Sequence, residues 1–216
     1  LAFQKALAAH DSVFVPAGTY LISGAITLGE RQSLFGVGET SVVECIDHSF
    51  NAIELVPDFA QISNLRIIIG NAGTKLYGRD RPCVQTAVTN VTLFQQNIGV
   101  QLDGYTDPNF PCYWNNFDRV LVEQPSLHGI HLTKTGAGDT PNANKFHACR
   151  VYSHGADISG HGVYVEHGSY NNAFIDCEAN VKGTAQGCFT LGAGSYKTLL
   201  INPYAESFNS VPNVKL

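Results

Sequence analysis

The sequence predicts an all-β fold, a single-stranded parallel β-helix whose three sheets wind about seven times around one apolar stack. The first observation behind this is a phrase that keeps returning. It reads Ile62-Ser63-Asn64-Leu65-Arg66-Ile67, then Val88-Thr89-Asn90-Val91-Thr92-Leu93, Phe117-Asp118-Arg119-Val120-Leu121-Val122, Phe146-His147-Ala148-Cys149-Arg150-Val151 and Phe174-Ile175-Asp176-Cys177-Glu178-Ala179. A degenerate copy starts at Leu200, and the starts lie 26, 29, 29, 28 and 26 residues apart. A self-similar period of roughly 20–50 residues marks stacked repeats. Short strands without heptads make those repeats β-coils.

The second observation is another phrase in step with the first: Ala25-Ile26-Thr27-Leu28, Ala52-Ile53-Glu54-Leu55, Gly99-Val100-Gln101-Leu102, Gly129-Ile130-His131-Leu132, Gly162-Val163-Tyr164-Val165 and Cys188-Phe189-Thr190-Leu191. Each alternates as a strand does, two residues inward and one outward. Two such strands per coil, with a third less regular one, make three sheets. The third observation is composition. Charged residues are only 14% of 216, against about 25% in an average domain, and 21 glycines occupy much of the difference. This suits a solenoid that turns every few residues.

Taken in order, residues 1–9 read as the end of an amphipathic helix, with Leu1, Phe3, Ala6 and Leu7 apolar, placed to cap the open strand edges at the start of the solenoid. Val13-Phe14-Val15 is a strand running into the tight turn Pro16-Ala17-Gly18-Thr19-Tyr20. Leu34-Phe35-Gly36-Val37-Gly38 is one more copy of the first phrase. The run from Val13 to Tyr20, an intervening strand and Leu34–Gly38 together resemble the start of the pectate-lyase-like right-handed parallel β-helix superfamily, most of all the branch found in bacteriophage tailspikes. The phrase N-x-F-x-x-C-x-V at Asn144, and its near copy at Asn172, is similar to the same group. The resemblance implies a homotrimer in a phage virion, acting extracellularly to bind or cut bacterial capsule or lipopolysaccharide.

Asn115, Asn144 and Asn172 stand two residues before the repeated Phe, and their amides are expected to form a ladder along the axis. Cys149, Cys177 and Cys188 read as reduced core residues, while Cys83 and Cys112 fall in irregular segments and are candidates for pairing. Long excursions at 103–114, 133–143 and 153–161, with an irregular stretch at 70–86, are where a rigid scaffold carries function. The whole chain reads as one β-helix domain. It has no Met, opens in mid-helix and stops on another copy of the second strand, so it is expected to be a piece of a longer chain.

No cofactor motif is present, and no C-x-x-C or HExxH suggests a metal. The net charge of −5 without a basic run argues against nucleic acid, and no stretch is long and apolar enough for membrane insertion. The Asp-Asp pair of polygalacturonase-like sites and the clustered aspartates of pectate lyases are missing, so neither family lends this chain a catalytic residue. Ser153-His154-Gly155 is only a weak echo. What remains is stacking. Aligning the second phrases puts Gln101, His131, Tyr164 and Thr190 in one outward column. Asp103, Thr133, Glu166 and Gly192 follow one residue past each strand. Asp103 and Glu166 are then two coils, roughly 9–10 Å, apart along the backbone, near the spacing of an inverting glycosidase pair. Tyr105, Phe110, Tyr113 and Trp114 lie close by in sequence and offer apolar ring faces to sugars. The plainer alternative is an Asp-Gly turn at Asp103 and a solvated charge at Glu166. His131 beside Tyr164, with Lys134 near, also admits β-elimination from a uronate. A second face carries Arg150 over Glu178, with Asp118 matched to His147. It reads as a charge ladder or as a substrate-binding surface.

Overall fold

The computed structural model describes residues 2–56, 58–104, 109–153, 157–166, 168–207 and 212–215. One helix, Ala2–Ala9, precedes a succession of short strands, all paired in parallel, that form a solenoid of about seven turns. Sheet 3 is the second phrase stacked on itself, from Ile26–Leu28 through Ile53–Leu55, Ala72–Tyr77, Ile98–Asp103, His128–Thr133, His161–Val165 and Gly187–Leu191 to Val214–Lys215. None of the described helices is long and apolar enough to cross a membrane.

The expected third strand is not irregular; it is folded into the first phrase. That phrase buries its first, fourth and sixth residues, as with Phe117, Val120 and Val122. A straight strand alternates with period two, so two inward residues three apart demand a bend between them. The bend sits at the third residue. Asn64, Asn90, Arg119, Ala148, Asp176 and Asn202 all have φ between 49° and 54°, the left-handed region. This one-residue corner divides sheet 1 (for example Asn116–Asp118, Lys145–His147, Ala173–Ile175) from sheet 2 (Leu121–Glu123, Arg150–Tyr152, Glu178–Val181). In Gln61–Ile68 and Ala87–Phe94 the strand runs unbroken through the corner and joins the two sheets. A second left-handed column, Arg31, Phe59, Gln85, Trp114, Ala143, Asn171 and Lys197, turns the chain from sheet 3 into sheet 1.

The stack inside is in register. Phe117, Phe146 and Phe174 pair position for position, with ring centroids 4.5 and 4.6 Å apart and planes within 8°. Beside them the asparagine ladder forms as expected. Asn115 Nδ2 donates to Asn144 Oδ1 at 3.0 Å and Asn144 Nδ2 to Asn172 Oδ1 at 3.1 Å, and all three side chains are buried. The inward glycines of sheet 3 leave room for the valines of sheet 2. A Cβ on Gly129 would lie 2.3 Å from Val151 Cγ1. All six cysteines are free and buried. Cys83 and Cys112 sit as register partners in a small two-stranded sheet rather than in irregular chain, and both belong to the core.

The helix covers the first open edges, as expected. Leu7 is buried in the core. The Gln4 amide imitates a strand, donating to Thr27 O at 2.9 Å and accepting from Thr27 N at 3.0 Å. This satisfies backbone groups that would otherwise template further pairing.

Candidate functional site

Register places the sheet 3 residues as expected: Gln101, His131, Tyr164 and Thr190 are direct neighbours in successive coils. The column two positions on runs Tyr77, Asp103, Thr133, and Glu166 follows the next strand. The two columns interlock diagonally. Tyr77 Oη donates to Glu54 at 2.9 Å, Lys75 Nζ pairs with Asp103 at 3.0 Å, and His131 Nε2 lies 2.8 Å from Glu166 Oε2.

Asp103 and Glu166 nevertheless differ in environment. Glu166 is partly exposed and accepts a second hydrogen bond from Thr133 Oγ1 at 2.6 Å. Asp103 has no exposed surface. Besides Lys75 it accepts from Thr135 N at 2.8 Å and Thr135 Oγ1 at 2.5 Å. The excursion after residue 133 closes over it: a Cβ on Gly104 would lie 2.1 Å from Asp139 O. A carboxylate sealed against a lysine and two donors is a framework group. Tyr105 and His154 lie outside the described residues.

Around His131 the structure collects rings. His131 and Tyr164 stack at 5.3 Å within 3° of parallel, and His128 and His161 pack against them. The buried His128 and His161 are held neutral. Burial, then the neighbouring His131 and His161 rings, push His128 down to about 3. Burial, then Lys215 and His131, push His161 down to about 4. Burial and the Glu166 charge push the Tyr164 phenol up.

The more open chemistry is at the corner between sheets 1 and 2. A groove of about 520 Å³ is lined there by Arg119, Val120, Leu121, Ala148, Arg150 and Asp176. Asp118 and His147, expected to match, are register partners, and His147 Nδ1 lies 2.7 Å from Asp118 Oδ1. The other Asp118 oxygen pairs with Arg119 at 2.6 Å. On the far side of the ring, His147 Nε2 faces Asp176 Oδ2 at 3.8 Å, and Asn202 Nδ2 steadies Asp176 from below at 2.8 Å. His147 and Asp176 are about half exposed. Arg150 reaches Glu178 at 3.2 Å, as its register with Glu178 requires. Two carboxylates thus flank one accessible imidazole, with two guanidinium groups beside them. Asp176 and Arg119 were missed as site residues because each occupies the corner position, where the phrase carries no strand signal. A larger cavity, about 580 Å³, lies under the N-terminal helix. Its charges Glu30 and Arg81 pair with each other, so it reads as part of the cap.

Among described residues no cluster of His, Cys, Asp or Glu has the arrangement of a metal centre.

No family model matches the chain, and no curated protein does. Two solved structures are similar. One is ORF18 of Geobacillus virus E2, with a TM-score of 0.49 and 17% identity over 94% of this chain and 56% of that one. The other is the catalytic unit of a thermostable GH87 alpha-1,3-glucanase from Streptomyces thermodiastaticus strain HF3-3, with a TM-score of 0.45 and 19% identity over 96% and 38%. The chain therefore spans little more than half the length of the first and under two fifths of the second. At these scores neither likeness bears on the chemistry of this chain.

Proposed function

We propose that this β-helix recognises and depolymerises a bacterial surface polysaccharide, capsule or lipopolysaccharide, as part of a homotrimeric phage tailspike acting at the host surface. The tailspike reading is supported by the phrase resemblance at residues 13–38. The catalytic reading is carried by one observation: His147 stands between Asp118 and Asp176, beside the groove that Asp176 lines. Asp118, fixed by Arg119, orients the ring and leaves its Nε2 edge to the groove. In hydrolysis His147 gives its proton to the departing glycosidic oxygen. Asp176 takes one from the water whose oxygen bonds to the anomeric carbon. Arg119 and Arg150 favour an acidic sugar. With a uronate they also support elimination, in which His147 Nε2 takes the proton beside the carboxylate, a C=C bond forms, and the β C–O bond breaks with the departing glycosidic oxygen taking a proton from solvent.

A second location, favoured by the 2.8 Å His131–Glu166 contact, is the outer face of sheet 3 with Tyr164. One experiment separates the possibilities. The chain is incubated with a panel of capsular and O-antigen polysaccharides while reducing ends and the ultraviolet absorbance of unsaturated sugars are followed. Asp176→Asn and His147→Gln are expected to lower the rate by ~100-fold or more, with Glu166→Gln near wild type. The reverse ranking moves the chemistry to sheet 3. Polysaccharide that is bound but never shortened leaves a receptor-binding shaft and ends the catalytic reading.

A further inference from the structure

A row of aromatic residues on the corner between sheets 3 and 1 has no place in the chemistry above. Tyr113, Asn142, Tyr170 and Tyr196 each stand four residues before a stacked apolar residue, at 117, 146, 174 and 200. They form one column across four successive coils, and Tyr113 is bridged directly to Asn142. Tyr170 and Tyr196 stack with centroids 5.3 Å apart and planes within 8°. Tyr113 meets Trp114 edge-on at 4.7 Å. Tyr196 is 60% exposed and Trp114 56%, so both rings reach solvent, with one face of Tyr196 covered by Tyr170.

Trp114 is the least expected of these. It occupies the left-handed corner column at φ 58°, which Arg31, Phe59, Gln85, Ala143, Asn171 and Lys197 fill in other coils. A bulky side chain there carries a steric penalty of order 1 kcal/mol, and more than half of Trp114 stays exposed. Backbone strain combined with an exposed aromatic face points to a use outside the fold.

We propose that this corner is a glycan-binding ledge, on which Trp114 and the outer rim of the Tyr170–Tyr196 stack form an apolar wall against uncharged pyranose rings of a chain lying along the solenoid axis. The proposal rests on the polysaccharide reading above and adds to it a neutral subsite apart from the Arg119–Arg150 groove. Flat aromatic faces match the C–H faces of a pyranose. Successive coils rise by roughly 4.8 Å, close to the length of one sugar unit, so neighbouring coils meet neighbouring sugars. Asn142, within the column, and Asn171 and Lys197 beside it supply hydrogen-bonding groups for ring hydroxyls. Two ring pairs parted by polar residues suit a glycan better than a protein partner, which calls for a continuous apolar patch. Trp114 to Asp118 spans four residues, roughly 13 Å of extended chain, so the ledge flanks the reacting groups without overlapping them.

Trp114 is the sole tryptophan of the chain, so its emission reports on this site alone. The probe is whichever polysaccharide of the capsular and O-antigen panel the chain retains in affinity electrophoresis. Binding is expected to shift Trp114 emission. Trp114→Ala and Tyr196→Ala are expected to weaken retention by about tenfold or more, while Trp114→Tyr keeps most of it and all three melt like wild type. Retention with unchanged emission and wild-type affinity in both alanine variants overturns the ledge and leaves the groove standing. Retention of no polysaccharide overturns both. An alanine variant that changes the oligomeric mass in light scattering assigns the corner to a contact between chains and also overturns it.

Discussion

Asn144 offers the sharpest test of what holds the coils together. Its side chain makes four hydrogen bonds in a sealed interior. The Oδ1 atom accepts from Asn115 N at 3.1 Å and Asn115 Nδ2 at 3.0 Å, and Nδ2 donates to Cys112 O at 3.3 Å and Asn172 Oδ1 at 3.1 Å. In Asn144→Ala the losses are unequal. Asn115 Nδ2 keeps Cys83 O at 3.1 Å, and Asn172 Oδ1 keeps the Asn144 backbone N–H at 3.0 Å. The Asn115 backbone N–H loses its side-chain acceptor where water does not reach, which costs about 1–3 kcal/mol, and the other broken bonds add about 0.5–1.5 kcal/mol each. The expected loss is therefore about 2.5–7.5 kcal/mol. Equilibrium unfolding in urea, followed by circular dichroism, measures it. Asn116→Ala, one residue from the ladder but exposed, is the control and should stay within about 0.5 kcal/mol of wild type. Asn144→Asp should be worse than Asn144→Ala, since it removes both donors and buries a charge. An Asn144→Ala loss under about 1 kcal/mol, or one equal to that of Asn116→Ala, would refute the idea that the buried amides determine coil stacking.

Two further expectations follow from the folded geometry. His128 and His161 remain neutral in the fold down to about 3 and about 4, while in the unfolded chain they protonate near the ordinary 6.5. Stability is then complete above about pH 6.5 and falls on acidification by roughly 1.4 kcal/mol per pH unit for each ring, levelling off only where the folded rings take up protons. Urea titrations at several pH values check this, and a flat profile between pH 7 and 4.5 would sink it. Ala148 holds a left-handed corner at φ 50°, so Ala148→Gly should stabilise the protein by about 0.5–1 kcal/mol; a loss in the same urea assay would mean that the corner is not strained.

The period made the stack legible. Once the chain returns to itself every 26 to 29 residues, spacing in sequence becomes adjacency in space. Phe117 over Phe146 over Phe174, Asn115 over Asn144, Arg150 over Glu178 and His131 over Tyr164 all follow from alignment alone. The corner was also present in the pattern, since inward residues at the first and fourth positions cannot belong to one straight strand. It was hidden because a single left-handed residue turns the chain without Gly or Pro: Arg119 and Ala148 carry no turn signature, although Asn64, Asn90, Asp176 and Asn202 are of the types that favour the left-handed region.

Alignment also does not say how deep an outward column lies. Asp103 and Glu166 occupy equivalent positions, yet Lys75 and Thr135 close over the first and leave the second partly open, because one coil carries a long excursion there and the other does not. Depth on the outside of a solenoid is set by insertions, which obey no period. This also explains where chemistry was overlooked. Asp176, Tyr170 and Tyr196 lie in the same periodic frame as the phrase, but at its bend or just before it, where core pattern gives way to turn. Carrying the column alignment through the corners would have placed Asp176 under Ala148, one residue from His147, and Tyr170 over Tyr196. In a fold whose inward positions are committed to the stack and whose strand faces are largely tied in ladders, the corners are where a side chain is free to face a ligand.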